Sequence, residues 1–147
     1  MRRPDLRLGR TSAGRLVEPD ELVDRLHGEL PLAAVVLFGS RARDEHTQHS
    51  DYDLAVVSTD FSGEPRMYRR TERLFEALRG IGRIDPVGLA PGELLALDCL
   101  LVLDVVADGI PLHDDGCFAR ARSLLEQRTA SGLVERITGG WRIEPLS

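Results

Sequence analysis

The chain of 147 residues has no lysine; all 19 of its basic residues are arginine. Any cationic contact to a phosphate must therefore come from a guanidinium or from backbone N–H groups. There are only two cysteines, Cys99 and Cys117, in apolar or helical surroundings without metal-ligand spacing. That excludes a disulfide-dense secreted scaffold and fits reduced structural thiols in a cytoplasmic protein. No long hydrophobic run is present. The longest, Leu94 to Ala107, is interrupted by Asp98 and Asp104 and falls short of the ~20 apolar residues of a spanning helix. The opening Met-Arg-Arg-Pro-Asp-Leu-Arg-Leu lacks a sustained apolar signal region. An excess of positive charge is also missing: net charge is −5 and the pI about 5.4. This argues against broad, non-specific nucleic-acid binding and leaves room only for a local basic patch. With 42% apolar and 29% charged residues, the composition is that of a soluble globular chain, long enough for one domain with its own core.

The chemistry-bearing residues lie close together. Leu32 to Phe38 is a short apolar run rich in Val and Leu, the pattern of a strand buried on both faces. It stops at Gly39-Ser40. Glycine permits a sharp turn and close approach by a ligand; serine can cap a helix beginning at Arg41. A helix start with free N–H groups is suited to phosphate, and Arg41 and Arg43 add positive charge. Ten intervening residues separate Ser40 from Asp51-Tyr52-Asp53, which leads into Leu54-Ala55-Val56-Val57, a second buried strand. Side chains two apart share a strand face, so Asp51 and Asp53 project together. Paired carboxylates repel unless a cation lies between them. Oxygen-only ligands favour a hard cation such as Mg²⁺.

Gly39-Ser40, the spacing to Asp51-x-Asp53, the flanking apolar strands and the Arg41-Ala42-Arg43 segment resemble the signature of the minimal nucleotidyltransferases, the MNT branch of the polymerase β-like superfamily. The resemblance covers roughly residues 18 to 114. It implies an α/β fold with a small mixed sheet flanked by helices. It also implies a third acidic ligand on the next strand, where Ile84-Asp85-Pro86-Val87 stands. In this reading Asp51, Asp53 and Asp85 hold Mg²⁺ and carry catalysis, with Asp85 also taking a proton from the attacking hydroxyl. Gly39, Ser40, Arg41 and Arg43 hold the nucleotide, expected to be ATP. Asp44 departs from the glycine many relatives carry there. Many members pair with a helical HEPN toxin, so the expected function is that of an MNT-type antitoxin transferring AMP to a toxin hydroxyl. The alternatives are an antitoxin acting by contact alone and a small-molecule, antibiotic-modifying nucleotidyltransferase.

Around this core, the sequence predicts a helix opening at Glu18-Pro19-Asp20-Glu21 with an apolar stripe of Leu22, Val23, Leu26 and Leu30, ended by Pro31. A second helix follows Pro65, with Met67, Thr71, Leu74, Phe75 and Leu78 on one face. Arg66, Arg69, Arg70 and Arg73 then read as a solvated face. Pro86 belongs at a sheet edge or an irregularity. Pro91 starts a helix to about Asp108, apolar nearly all round, which is either buried on both sides or leaves a patch for a partner or oligomer. Residues 110–113 read as a last strand. The final helix runs from about Cys117 to Arg128 and on towards Ile137. One domain is expected over 1–147, with its core at about 18–114 and a helical extension at about 115–138. His46 and His49 read as solvated loop residues.

Overall fold

The computed structural model describes residues 17–43 and 51–144. The segment 1–16, which the sequence reads as either an arm or a short extra strand, lies outside the described residues, as do Asp44, His46, His49 and the side chain of Arg41. The order of elements is α1 (Pro19–His27), β1 (Ala34–Phe38), a 3-10 turn (Gly39–Arg41), β2 (Tyr52–Val57), a second 3-10 turn (Thr59–Gly63), α2 (Met67–Ala77), β3 (Ile84–Leu89), α3 (Pro91–Ala96), α4 (Leu100–Asp108), β4 (Ile110–Asp114), α5 (Cys117–Ala130), β5 (Val134–Ile137) and β6 (Gly140–Ile143).

A four-stranded mixed sheet, ordered β3-β2-β1-β4, divides the core. β1 runs antiparallel to both β2 and β4, whereas β3 runs parallel to β2. All five residues of β1 are buried, as its unbroken apolar run requires. Alternation then sends Val35 and Leu37 to one face and Ala34, Val36 and Phe38 to the other. On the first face they join Leu54, Val56 and the inner residues of α1 and α2; on the second they join Ala55, Val57, Leu89, α4 and α5. Pro86 sits on the edge strand β3, where its missing N–H costs least.

Three elements differ from the sequence expectation. The helix expected from Pro91 to Asp108 is two helices, because Leu97 takes a left-handed φ of 52° and is fully buried. Swinging Leu97 into the core interrupts the helix and re-aims α4. Val102, Leu103, Val105 and Val106 are then buried, while Leu100 stays 56% exposed. The final helix ends at Ala130 rather than near Ile137. Gly132 turns the chain at φ 77°, and residues 134–143 form an antiparallel hairpin about a turn with Gly139 at φ 82°. That hairpin covers the second core: Trp141 Nε1 donates to Asp104 at 2.9 Å and Val134 is buried. On α2, Arg70 does not belong to the solvated face. It is 4% exposed, whereas Phe75, expected on the inner face, is 52% exposed. Arg70 precedes buried Leu74 by four residues and Ala77 by seven, which places it on the buried stripe. Among the described residues no helix is long and apolar enough to cross a membrane.

Candidate functional site

β1 ends at Phe38, whose Cα partner across the sheet is Asp53. The chain leaves the strand at once through Gly39, at φ 75°. Its carbonyl accepts from the N–H groups of Ala42 at 3.1 Å and Arg43 at 3.2 Å, closing a tight turn. The expected cap by Ser40 is absent. The turn begins two residues earlier, at Gly39, with Phe38 at its N-cap and no side-chain cap bond, so Ser40 lies within it. Glycine is needed here for a second reason. A Cβ on Gly39 would come within 2.3 Å of Asp53 Oδ2, so the carboxylate packs directly against the turn.

The neighbouring strand completes the arrangement. Asp53 and Asp85 are Cα partners in the parallel β2–β3 register, so the two side chains share a sheet face. Asp51 immediately precedes β2 and is exposed, as is Asp85; Asp53 is half-buried. Burial pushes the Asp53 carboxyl above the ordinary carboxylate range, and the charges of Asp85 and then Asp51 push it further, while Arg43 pulls it down. The structure therefore brings together Gly39, Ser40, Arg43, Asp51, Asp53 and Asp85 at one end of the sheet.

The donor set suits a hard divalent cation in kind: oxygen ligands only, with a carboxyl whose ionised form is penalised by like charges. Among the described residues no three acidic, imidazole or thiol groups are gathered closely enough to hold an ion by themselves. For Mg²⁺ this is no contradiction, because it is commonly bound by one or two carboxylates, with substrate phosphates and water supplying the rest.

One residue at this end of the sheet escaped the sequence reading. Arg83 has a left-handed φ of 65°, and its carbonyl accepts from the Tyr52 N–H at 2.7 Å, between Asp51 and Asp53. In the sequence, Gly80-Ile81-Gly82 breaks the preceding helix but does not reveal which residue takes the left-handed conformation.

Against known proteins, residues 20–90 match the family described as nucleotidyltransferase domain. This segment contains the Gly39 turn and all three aspartates. No curated protein matches the chain. Among solved structures, a candidate nucleotidyltransferase from Sulfolobus solfataricus is 25% identical with a TM-score of 0.49, over 65% of this chain and 76% of that one. A chain from a toxin–antitoxin complex with AMP-PNP is 20% identical, with a TM-score of 0.49, over 78% and 92%. A chain from the complex of a tri-AMPylated Shewanella oneidensis HEPN toxin with an MNT antitoxin is 22% identical, with a TM-score of 0.44, over 77% and 87%.

Proposed function

We propose, from the match of residues 20–90 to the nucleotidyltransferase domain family, that the chain transfers AMP from ATP to a hydroxyl on a HEPN-type toxin, acting as its antitoxin. The observation that carries the transfer reading is the packing of Asp53 against the Gly39 turn and opposite Asp85. It puts a carboxylate pair beside the backbone that would receive the triphosphate.

Gly39 backbone and the Ser40 hydroxyl grip the distal phosphates, and Arg41 and Arg43 offset their charge. With substrate phosphates and water supplying the remaining oxygens, Asp51, Asp53 and Asp85 would hold Mg²⁺, which when bound neutralises charge on the triphosphate. Asp85 takes the proton from the acceptor hydroxyl as its oxygen forms a bond to the α-phosphorus. The bond from that phosphorus to the bridging β-phosphate oxygen breaks in line, and pyrophosphate leaves with the electron pair. The HEPN partner is the acceptor implied by the family resemblance, and the AMPylated toxin in the S. oneidensis complex is its precedent. On this chain the surface suited to a partner is the groove of about 350 Å³ lined by Met67, Ala96, Leu101 and Val102, beside exposed Leu100.

The test is incubation with α-labelled ATP, Mg²⁺ and a co-expressed HEPN protein. Label is expected on the HEPN protein, reduced at least ~100-fold by Asp53→Ala. Neutralisation of the toxin that survives both Asp51→Ala and Asp53→Ala, without label transfer, would replace catalysis with contact.

A further inference from the structure

We propose that Arg83 is a positioning residue whose left-handed backbone locks β3 in the register that sets Asp85 opposite Asp53. Its catalytic consequence rests on the nucleotidyl-transfer reading; its conformational consequence does not. Among the described residues only Arg83 and Leu97 are non-glycine with positive φ. Leu97 is explained by its burial in the core. Arg83 is exposed at the head of the edge strand, so burial of its side chain does not account for the left-handed backbone.

The neighbouring sequence sharpens the point. Gly82 stands beside Arg83, yet it is not left-handed; the strained conformation falls on the arginine. Moving the turn by one residue onto Gly82 would relieve the strain. It would also slide β3 by one position against β2. Because side chains alternate, a one-residue slip turns every side chain to the other face. Asp85 would leave the face of Asp53, and Ile84 or Pro86 would take its place. The bond from the Tyr52 N–H to the Arg83 carbonyl, at 2.7 Å, fastens this register at the rung that separates Asp51 from Asp53. Backbone strain held at the rim of a site by surrounding contacts is the ordinary form of such pre-organisation.

The experiment compares Arg83→Gly and Arg83→Asn, which accept positive φ, with Arg83→Val, which resists it. The readouts are amide hydrogen exchange at Tyr52, kcat and KM for ATP with the HEPN acceptor, and melting temperature. Arg83→Val should raise Tyr52 exchange at least ~10-fold and lower kcat at least ~10-fold, with KM for ATP within about twofold. Arg83→Gly and Arg83→Asn should keep Tyr52 protection and kcat, and Gly should melt at or above the wild type. Unchanged protection in a folded Val variant overturns the inference, as does a kcat loss in Gly equal to that in Val, which would assign the effect to the guanidinium. If Val does not fold, Gly and Asn decide, and loss of Tyr52 protection in both overturns it. A wild type without transfer whose variants still show this exchange pattern would remove the nucleotidyl-transfer reading and support the register lock.

Discussion

Gly39 and Asp53 pack directly against each other, and each restricts the other. Gly39→Ala adds a Cβ that would meet Asp53 Oδ2 at 2.3 Å, at a φ of 75° that disfavours any side chain. We expect transfer activity to be lost and stability to fall by about 1–3 kcal/mol, measured by label transfer and chemical denaturation. Asp53 itself opposes stability. Its carboxyl is raised above the ordinary carboxylate range by burial, then by Asp85 and Asp51. A group raised in this way binds its proton more tightly when folded, so its stabilisation is complete below the unfolded value and is lost as pH rises through the folded value. Asp53→Asn should therefore raise the melting temperature at neutral pH. It should also flatten the pH dependence of melting between acidic and neutral pH in divalent-free buffer, while abolishing transfer. An unchanged pH profile would show that Asp53 is not under this repulsion.

Among the elements, α2 is fastened by the residue least expected to be inside. Arg70 donates to Glu64 O at 2.6 Å, Phe61 O at 2.8 Å, Gly88 O at 3.1 Å and Glu93 Oε1 at 2.6 Å. One guanidinium thus ties the second 3-10 turn, β3 and α3 to α2, and Glu93 in turn accepts from the Ala90 N–H at the start of α3. Removing it leaves buried carbonyls without a donor. Arg70→Ala should cost about 3 kcal/mol in urea denaturation, whereas exposed Arg79→Ala, whose ion pair with Glu76 lies in solvent, should change stability by less than about 0.5 kcal/mol. The sequence could not reveal this. Arg66, Arg69, Arg70 and Arg73 are one charged run, and what separates Arg70 from the others is its burial among acceptors brought in from other segments. The same limit applied to α3 and α4: the apolar composition read as one continuous helix because nothing local marks Leu97 as left-handed. By contrast α1, β1, β2 and the edge position of Pro86 were legible, since each depends on local pattern: an apolar stripe, an unbroken run, or a missing N–H.

At the scale of the molecule, the sheet carries a core on each face, and the second is closed by the C-terminal segment. Phe118, Ala121, Leu125 and Val134 are buried there against α4, and Arg136 pairs with Asp108 at 2.6 Å while lying over Trp141. Asp114 joins the two parts by accepting from the N–H groups of Gly116, Phe118 and Ala119 at the start of α5. A chain truncated after Asp114 should therefore not fold to a soluble monomer, although it retains every candidate site residue; the full chain should unfold in one transition by calorimetry and circular dichroism. A truncated chain with an intact melting transition would make the C-terminal segment an accessory rather than part of the core. By itself the sequence determined the strand-turn-strand that bears Gly39, Ser40, Asp51 and Asp53, because turn chemistry and alternation act over a few neighbouring residues. Only the tertiary structure decided that Asp85 stands opposite Asp53, that Arg83 bears the strain of keeping it there, and that Arg70 is a buried tether. Those outcomes depend on strand register and on partners distant along the chain, which no local pattern encodes.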